Sequence, residues 1–311
     1  MFHLNRILII KHGSLGDIVF SLPAMYSVYT FYKGVSIDIL TEKKYFNFLN
    51  KTNYFNNFLQ DNRSSNIFYS FSLLINLLKN KYDLIIDLQN SKRTSYYHLF
   101  FRIFSNTKIS SSRRFANFRY LIPIQGTETA TEGLFNQIKL MGIPKVNKVE
   151  YDWLQCNINL DNKYKNKTIL FIPGVSKKGK YKQWDPLKFG ELAKYCVNKK
   201  YQICVVGTQQ DRKSILPILN NCPNLINNID NSPPHIIYSI SKIASLTITN
   251  DTGPGHIASL SGSNILWLVN NNKITRANIS NNKNNYKISS SNVKDISTKS
   301  VIQFIEDNKL L

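Results

Sequence analysis

The chain has 311 residues, more than one hydrophobic core usually serves, which predicts two domains. Hydrophobic residues make up 42% and aromatics 12%, enough for burial, so wholesale disorder is excluded. Forty Lys and Arg against nineteen Asp and Glu give +21, which predicts an anionic partner without choosing among nucleic acid, an acidic membrane face and a phosphorylated substrate.

The elements alternate. RILII at Arg6–Ile10 predicts a buried strand, residues 11–17 a glycine-containing loop and residues 18–31 a helix. A strand over 35–40, a helix over 66–78, a buried strand over 83–88 and a helix over 92–104 continue the pattern. Residues 144–167 are polar, rich in Asn and Lys, and suit a linker. Alternation then resumes, with strands over 168–172, 201–206, 245–249 and 264–269 and helices over 186–198, 234–243 and from 256 to 261. The Asn- and Lys-rich tail predicts one helix, over 301–308. Two such halves predict an α/β protein of two Rossmann-like domains, residues 1–155 and 156–311, whose parallel sheets face a central cleft, with the last helix packing back on the first domain.

Other classes fall away. No apolar run approaches the ~20 residues of a membrane span. His3 and Arg6 precede a short apolar stretch with no small-residue cleavage site, which does not read as a signal peptide. Cys156, Cys196, Cys204 and Cys222 lack CxxC spacing and are expected to be reduced thiols in a cytoplasmic protein. His3, His12, His98, His235 and His256 show no zinc spacing, so no metal is expected.

Ligands of open α/β sheets bind at the carboxyl ends of strands, which singles out three loops. In Lys11–Asp17 (KHGSLGD) the glycines permit a tight turn, and Asp17 is either a helix N-cap or a general base, or both. The spacing fits neither the dinucleotide nor the Walker A fingerprint. Residues 173–184 (PGVSKKGKYKQW) carry four lysines into a helix start, as a phosphate clamp or a solvated basic loop would. In residues 250–256 (NDTGPGH), Thr252 and the N–H groups near Gly253 would favour an anion, or Asp251 and Thr252 simply cap the helix.

Together these blocks are specific. RILIIKHGSLGDIVFSLPA (6–24), YDLIIDLQNSKRT (82–94), FIPGVSKKGKYKQWDPLKFGELA (171–193), VVGTQQDR (205–212) and TNDTGPGHIASLSG (249–262) resemble glycosyltransferase family 9, the bacterial lipopolysaccharide heptosyltransferases. The resemblance implies a GT-B fold and inverting, metal-independent transfer of heptose or a related sugar from an ADP-sugar to a lipopolysaccharide core or similar glycolipid. It implies that Asp17 is the catalytic base and Lys182 binds the diphosphate. Ser176, Thr252, Gly253 and His256 join the donor site, with Asp251 toward the sugar and Asp211 near the ribose. Ser14, Lys92, Arg93, Arg113 and Arg114 are the acceptor-side candidates. The same pattern also admits another nucleotide sugar, a protein acceptor or a nucleic-acid-binding protein.

Three features depart from the family. Gly255 stands where a bulkier residue, often Met, is usual, and is expected to loosen packing around the donor. After Val269, NNNKITRANIS replaces the usual GPT-like segment, and residues 125–132 lack the common His. Arg113, Arg114 and Arg119 interleave with Phe115, Phe118 and Tyr120, a pattern shared by a solvated face, an acceptor-phosphate or anionic-lipid contact and a nucleic-acid face. No nucleic-acid signature supports the last; the partners that the resemblance implies are a nucleotide-sugar donor, an anionic glycolipid acceptor and the inner-membrane surface.

Overall fold

The computed structural model describes residues 4–124, 127–156, 164, 167–271 and 283–311, which form two compact units, Met1–Glu150 and Tyr151–Leu311. The first contains β1 (Arg6–Ile10), α1 (Leu15–Phe31), β2 (Ser36–Thr41), α2 (Phe46–Asn50), β3 (Asn57–Gln60) and α3 (Ile67–Lys79). It continues through β4 (Leu84–Asp87), α4 (Lys92–Phe104), β5 (Lys108–Ser111), β6 (Phe118–Arg119) and α5 (Ala130–Lys139). The second contains β7 (Thr168–Ile172), α6 (Pro186–Asn198), β8 (Gln202–Gly207), α7 (Arg212–Asn221), β9 (Ile226–Ile229) and α8 (Pro234–Ile243). It ends with β10 (Leu246–Asn250), α9 (Gly253–Ser259), β11 (Ile265–Asn270), β12 (Asn285–Ser290) and α10 (Thr298–Asp307).

Each unit has a six-stranded parallel sheet, ordered β3-β2-β1-β4-β5-β6 in one and β12-β11-β10-β7-β8-β9 in the other. Counted from its own first strand, each has the Rossmann order 3-2-1-4-5-6, so the expected fold class holds in both halves. Strands β1 and β7 are apolar because helices cover both faces of the sheet; Ile7–Ile10 and residues 169–171 are fully buried.

The structure moves some boundaries. The units divide at Glu150/Tyr151 rather than 155/156, because the turn Asp152–Leu154 packs on α8 and the Cys156 amide donates to Ser239 Oγ. The remainder of the linker segment lies largely outside the described residues. The last helix joins the second unit: Val301 and Ile305 enter its core beside Trp184 and Phe189, and Tyr195 donates to Glu306. All four cysteines are free thiols, three of them buried.

Strands β3, β5, β6, β9 and β12 escape the periodicity reading because they are short or carry polar residues, as in KISS and INNI. Helix α7 contains Pro217 and packs closely on α6, where a Cβ on Gly190 would lie 2.6 Å from the Pro217 carbonyl. Trp184 anchors the second core, fully buried, with its indole N–H on the Ile296 carbonyl at 2.8 Å. Replacing it with Ala should cost about 3–5 kcal/mol, chiefly as a cavity, since the Ile296 carbonyl keeps a donor in Lys188 Nζ at 3.0 Å. Denaturant unfolding followed by circular dichroism reads this, and a loss under about 1 kcal/mol would contradict it.

Candidate active site

The loops at the switch points, after β1 and β4 and after β7 and β10, hold most of the chemistry. In the first unit Ser14, not Asp17, caps α1. Asp17 is the third residue of a capping box: its Oδ2 accepts from the Ser14 amide at 2.7 Å and the Ser14 hydroxyl at 2.8 Å. Both bonds fall on Oδ2, which leaves Oδ1 of this exposed carboxylate for another donor. Gly13 is required here. Its φ is +114°, and a Cβ would lie 2.6 Å from Asp17 Oδ2.

Beneath this loop runs a buried polar network that the sequence did not reveal. Lys11 is almost wholly buried and donates to the Leu88 carbonyl at 3.0 Å; burial pushes its pKa down, and nearby Asp17 and Asp87 oppose the shift. Fully buried Asp87 accepts from the Gln89 and Asn90 amides and lies 3.1 Å from His98 Nε2. Burial raises its carboxyl pKa, but His98 and the donors around it win and hold it below the usual value. These contacts bind the loops after β1 and β4 into one rigid edge.

The acceptor-side candidates divide. Lys92 and Arg114 are exposed. Arg93 turns inward, to Tyr97, the Ser64 carbonyl and Asp61, and Arg113 donates to the Asn90 carbonyl at 2.6 Å. Those two guanidiniums brace the edge.

In the second unit β7 and β10 are neighbours, so their loops meet although far apart in sequence. Asn250 joins them: fully buried, it donates to the Pro173 carbonyl at 2.9 Å and accepts from the Trp184 amide at 2.9 Å. Lys182, at the end of the 3-10 turn Lys177–Lys182, thereby reaches Asp251 Oδ2 at 2.6 Å. The other oxygen of Asp251 lies 3.1 Å from His256 Nε2. Burial pushes the Asp251 pKa up, but His256 and Lys182 outweigh it and hold the carboxyl at about 2.

The remaining donor-side candidates surround this trio. Thr252 precedes α9 without a side-chain capping bond, and Gly253 begins that helix. With only seven residues α9 has a modest dipole, so charge at this point rests mainly on Lys182. Ser176 is exposed before the lysine turn. Asp211 Oδ2 accepts from the Thr208 amide and hydroxyl, and its carboxylate covers Gly174, leaving no room there for a Cβ.

Gly255 does not loosen this region. Its Cβ would meet Thr249 Oγ1 at 2.7 Å and the Trp267 ring at 3.0 Å. Trp267 fills the space a larger side chain would take and places its ring 4.9 Å from that of His256. The segment after Asn271 that departs from the family lies outside the described residues. Among the described residues no group of three His, Cys, Asp or Glu could hold a metal.

Two sheets of Rossmann order, each with polar chemistry on the loops at its switch point, have the architecture of the GT-B fold. The profile of Glycosyltransferase family 9 (heptosyltransferase) matches residues 71–297, and the chain belongs to that family. No curated protein matches the chain. Among solved structures it is similar to E. coli ADP-heptose LPS heptosyltransferase II, with 17% identity, 98% of each chain covered and a TM-score of 0.78. A family 9 glycosyl transferase from Veillonella parvula DSM 2008 matches at 16% identity and TM-score 0.80, over 99% of this chain and 98% of that one. E. coli heptosyltransferase WaaC with ADP-2-deoxy-2-fluoro heptose matches at 16% and 0.74, over 97% and 99%. At such identities these structures speak for the fold.

The Asp251 cluster gives a pH signature. A carboxyl held near 2 against an ordinary value near 4 contributes roughly 2 kcal/mol. That stability is present in full above pH ~4 and is lost as pH falls through about 2. Asp251→Asn should therefore destabilise the protein by about 2 kcal/mol at neutral pH. The gap from wild type should close on acidification, as read by urea unfolding across pH; a gap independent of pH would contradict the ion-pair origin.

Proposed function

We propose that this glycosyltransferase moves heptose or a related sugar from an ADP-sugar to a lipopolysaccharide core or similar anionic glycolipid, with inversion and without a metal ion. The observation that carries the reading is the Lys182–Asp251–His256 cluster, a cation held 2.6 Å from a half-buried carboxylate on the loops of two adjacent strands. Family membership and the ADP-containing WaaC structures support ADP as the nucleotide.

In the proposed reaction an acceptor hydroxyl oxygen attacks the anomeric carbon. The bond from that carbon to the diphosphate oxygen breaks, and its electron pair leaves with ADP. Negative charge grows on the departing diphosphate, where Lys182, exchanging part of its bond to Asp251, together with the amides at Thr252 and Gly253 and the Ser176 hydroxyl, would stabilise it. Asp251 and His256 would orient the sugar side, and the second oxygen of Asp211 would meet the ribose. On the acceptor, Asp17 Oδ1 would take the hydroxyl proton as the bond forms, while Ser14 holds Oδ2. Exposed Lys92 and Arg114 would attract acceptor phosphates, with Arg93 and Arg113 fixing the edge that presents them. The reaction would take place on the cytoplasmic face of the inner membrane, with the enzyme bound peripherally.

A panel of nucleotide sugars, assayed with a chelator present, tests this. ADP-heptose should turn over without added metal, and Asp17→Asn should lower kcat by about 10²–10⁴ with ADP affinity retained. Turnover confined to uridine or guanosine donors would move the chain to another donor within the same fold. An Asp17→Asn enzyme at full rate would remove the assigned base.

A further inference from the structure

Helices α3 and α4 pack side by side on the first sheet, their inner residues Leu74, Leu77, Tyr97 and Phe101 in one core. Their outer side is the reverse of a normal surface. On α3, Ile67 is 80% and Phe68 86% exposed, and Phe71 is also exposed; on α4, Tyr96, Ile103 and Phe104 are 70%, 64% and 59% exposed. The two sets join through Phe100, whose ring lies 6.1 Å from Phe71 and 4.8 Å from Phe104. A continuous apolar track of this kind on a protein surface marks a docking site.

Charge identifies the occupant. Neither helix contains an acidic residue, while α3 ends in exposed Lys79 and α4 exposes Lys92 and Arg102, its Arg93 being turned inward to Asp61. From Leu88 to Thr127 the chain has seven basic residues and no acidic one. Lys79 continues the stripe of Phe68 and Phe71 along α3, and Lys92 precedes Tyr96 by one turn on α4. Apolar side chains ringed by cations suit an anionic bilayer, which takes the rings into its interface and the cations at its phosphates. A second copy of this face fits poorly, since a two-fold contact would set these cations against themselves. Single-stranded nucleic acid would use the rings, but aliphatic Ile67 and Ile103 gain nothing from stacked bases.

We propose that the outer face of α3 and α4 docks the protein on an anionic phospholipid surface, with Phe68, Phe71 and Ile103 inserting into the interface and Lys79 and Arg102 pairing with headgroup phosphates. The inference rests on the proposed glycolipid acceptor only for its purpose. It brings the unit that carries Asp17 to the surface where such an acceptor would lie.

Flotation of the full-length protein with vesicles of phosphatidylcholine, alone or mixed with phosphatidylglycerol, tests the surface. Binding should require phosphatidylglycerol and weaken with salt. The triple variant Phe68→Ser, Phe71→Ser, Ile103→Ser and the pair Lys79→Glu, Arg102→Glu should each reduce it about ten-fold or more. ADP should still shift the melting temperature of both variants, which shows that the fold and donor site survive; both members of the charge pair are exposed. Undiminished vesicle binding by folded variants would overturn the proposal. So would variants that only convert a dimer to monomer in sedimentation, or that lose only oligonucleotide binding. If ADP-heptose is not turned over but anionic vesicles bind through this face, the donor reading fails and the surface stands. Normal turnover with no vesicle binding keeps the donor reading and removes the surface.

Discussion

Adjacency of β7 and β10 is the constraint on which the second unit's chemistry depends. In a parallel sheet of this order the first and fourth strands are neighbours whose chains leave toward opposite sides, and a crevice opens at their carboxyl ends. Asn250 secures that juncture. One buried amide group satisfies the Pro173 carbonyl and the Trp184 amide, and so fixes where the intervening lysine turn must end. Lys182 sits two residues before a tryptophan that is itself locked in the core, and its ammonium is delivered to Asp251 by backbone that cannot drift. The desolvation that would penalise an isolated Asp251 is met by two partners, one on each oxygen.

The first unit solves the same geometric problem differently. Its switch point joins β1 and β4, and the tie is a lysine, Lys11, donating to the Leu88 carbonyl beneath the loop. Asp87 and His98 stiffen the other side. Asp17 stands above this network at the start of α1, fastened by one oxygen and open at the other. A capping carboxylate and a proton acceptor are therefore compatible roles, because each uses a different lone-pair set.

Much of the architecture was legible in the sequence. Buried parallel strands such as RILII and TILFI are apolar throughout, and helices such as α4, α6 and α8 begin and end where their caps and prolines say they should. What escaped was structure held by position instead of composition: β9 (INNI) and β12 belong to the sheet because neighbours pair with them, and α7 lies close on α6 because Gly190 leaves room for the Pro217 carbonyl. Within the site, charged and glycine-containing loops announced Asp17, Lys182 and Asp251, but not their partners. Asn250 and Lys11 look like ordinary residues until the fold buries them. Trp267 overturns the expectation for Gly255, since a residue missing from one element was replaced by volume from the next strand. Arg93 and Arg113 read as surface cations because sequence cannot show a guanidinium turning inward.

The surplus of basic charge accordingly has several addresses: one lysine paired with Asp251, guanidiniums bracing the edge of the first sheet, and an acid-free outer layer on α3 and α4. The central claim concerns the first of these, that Lys182 meets the diphosphate of an ADP-sugar. Phosphorus NMR of ADP titrated with the protein tests it most directly. The account predicts that wild-type protein shifts the β-phosphorus resonance, and that in Lys182→Ala this shift shrinks while nucleotide binding persists. An identical β-phosphorus shift in both proteins, or no binding of ADP by the wild type, would contradict it.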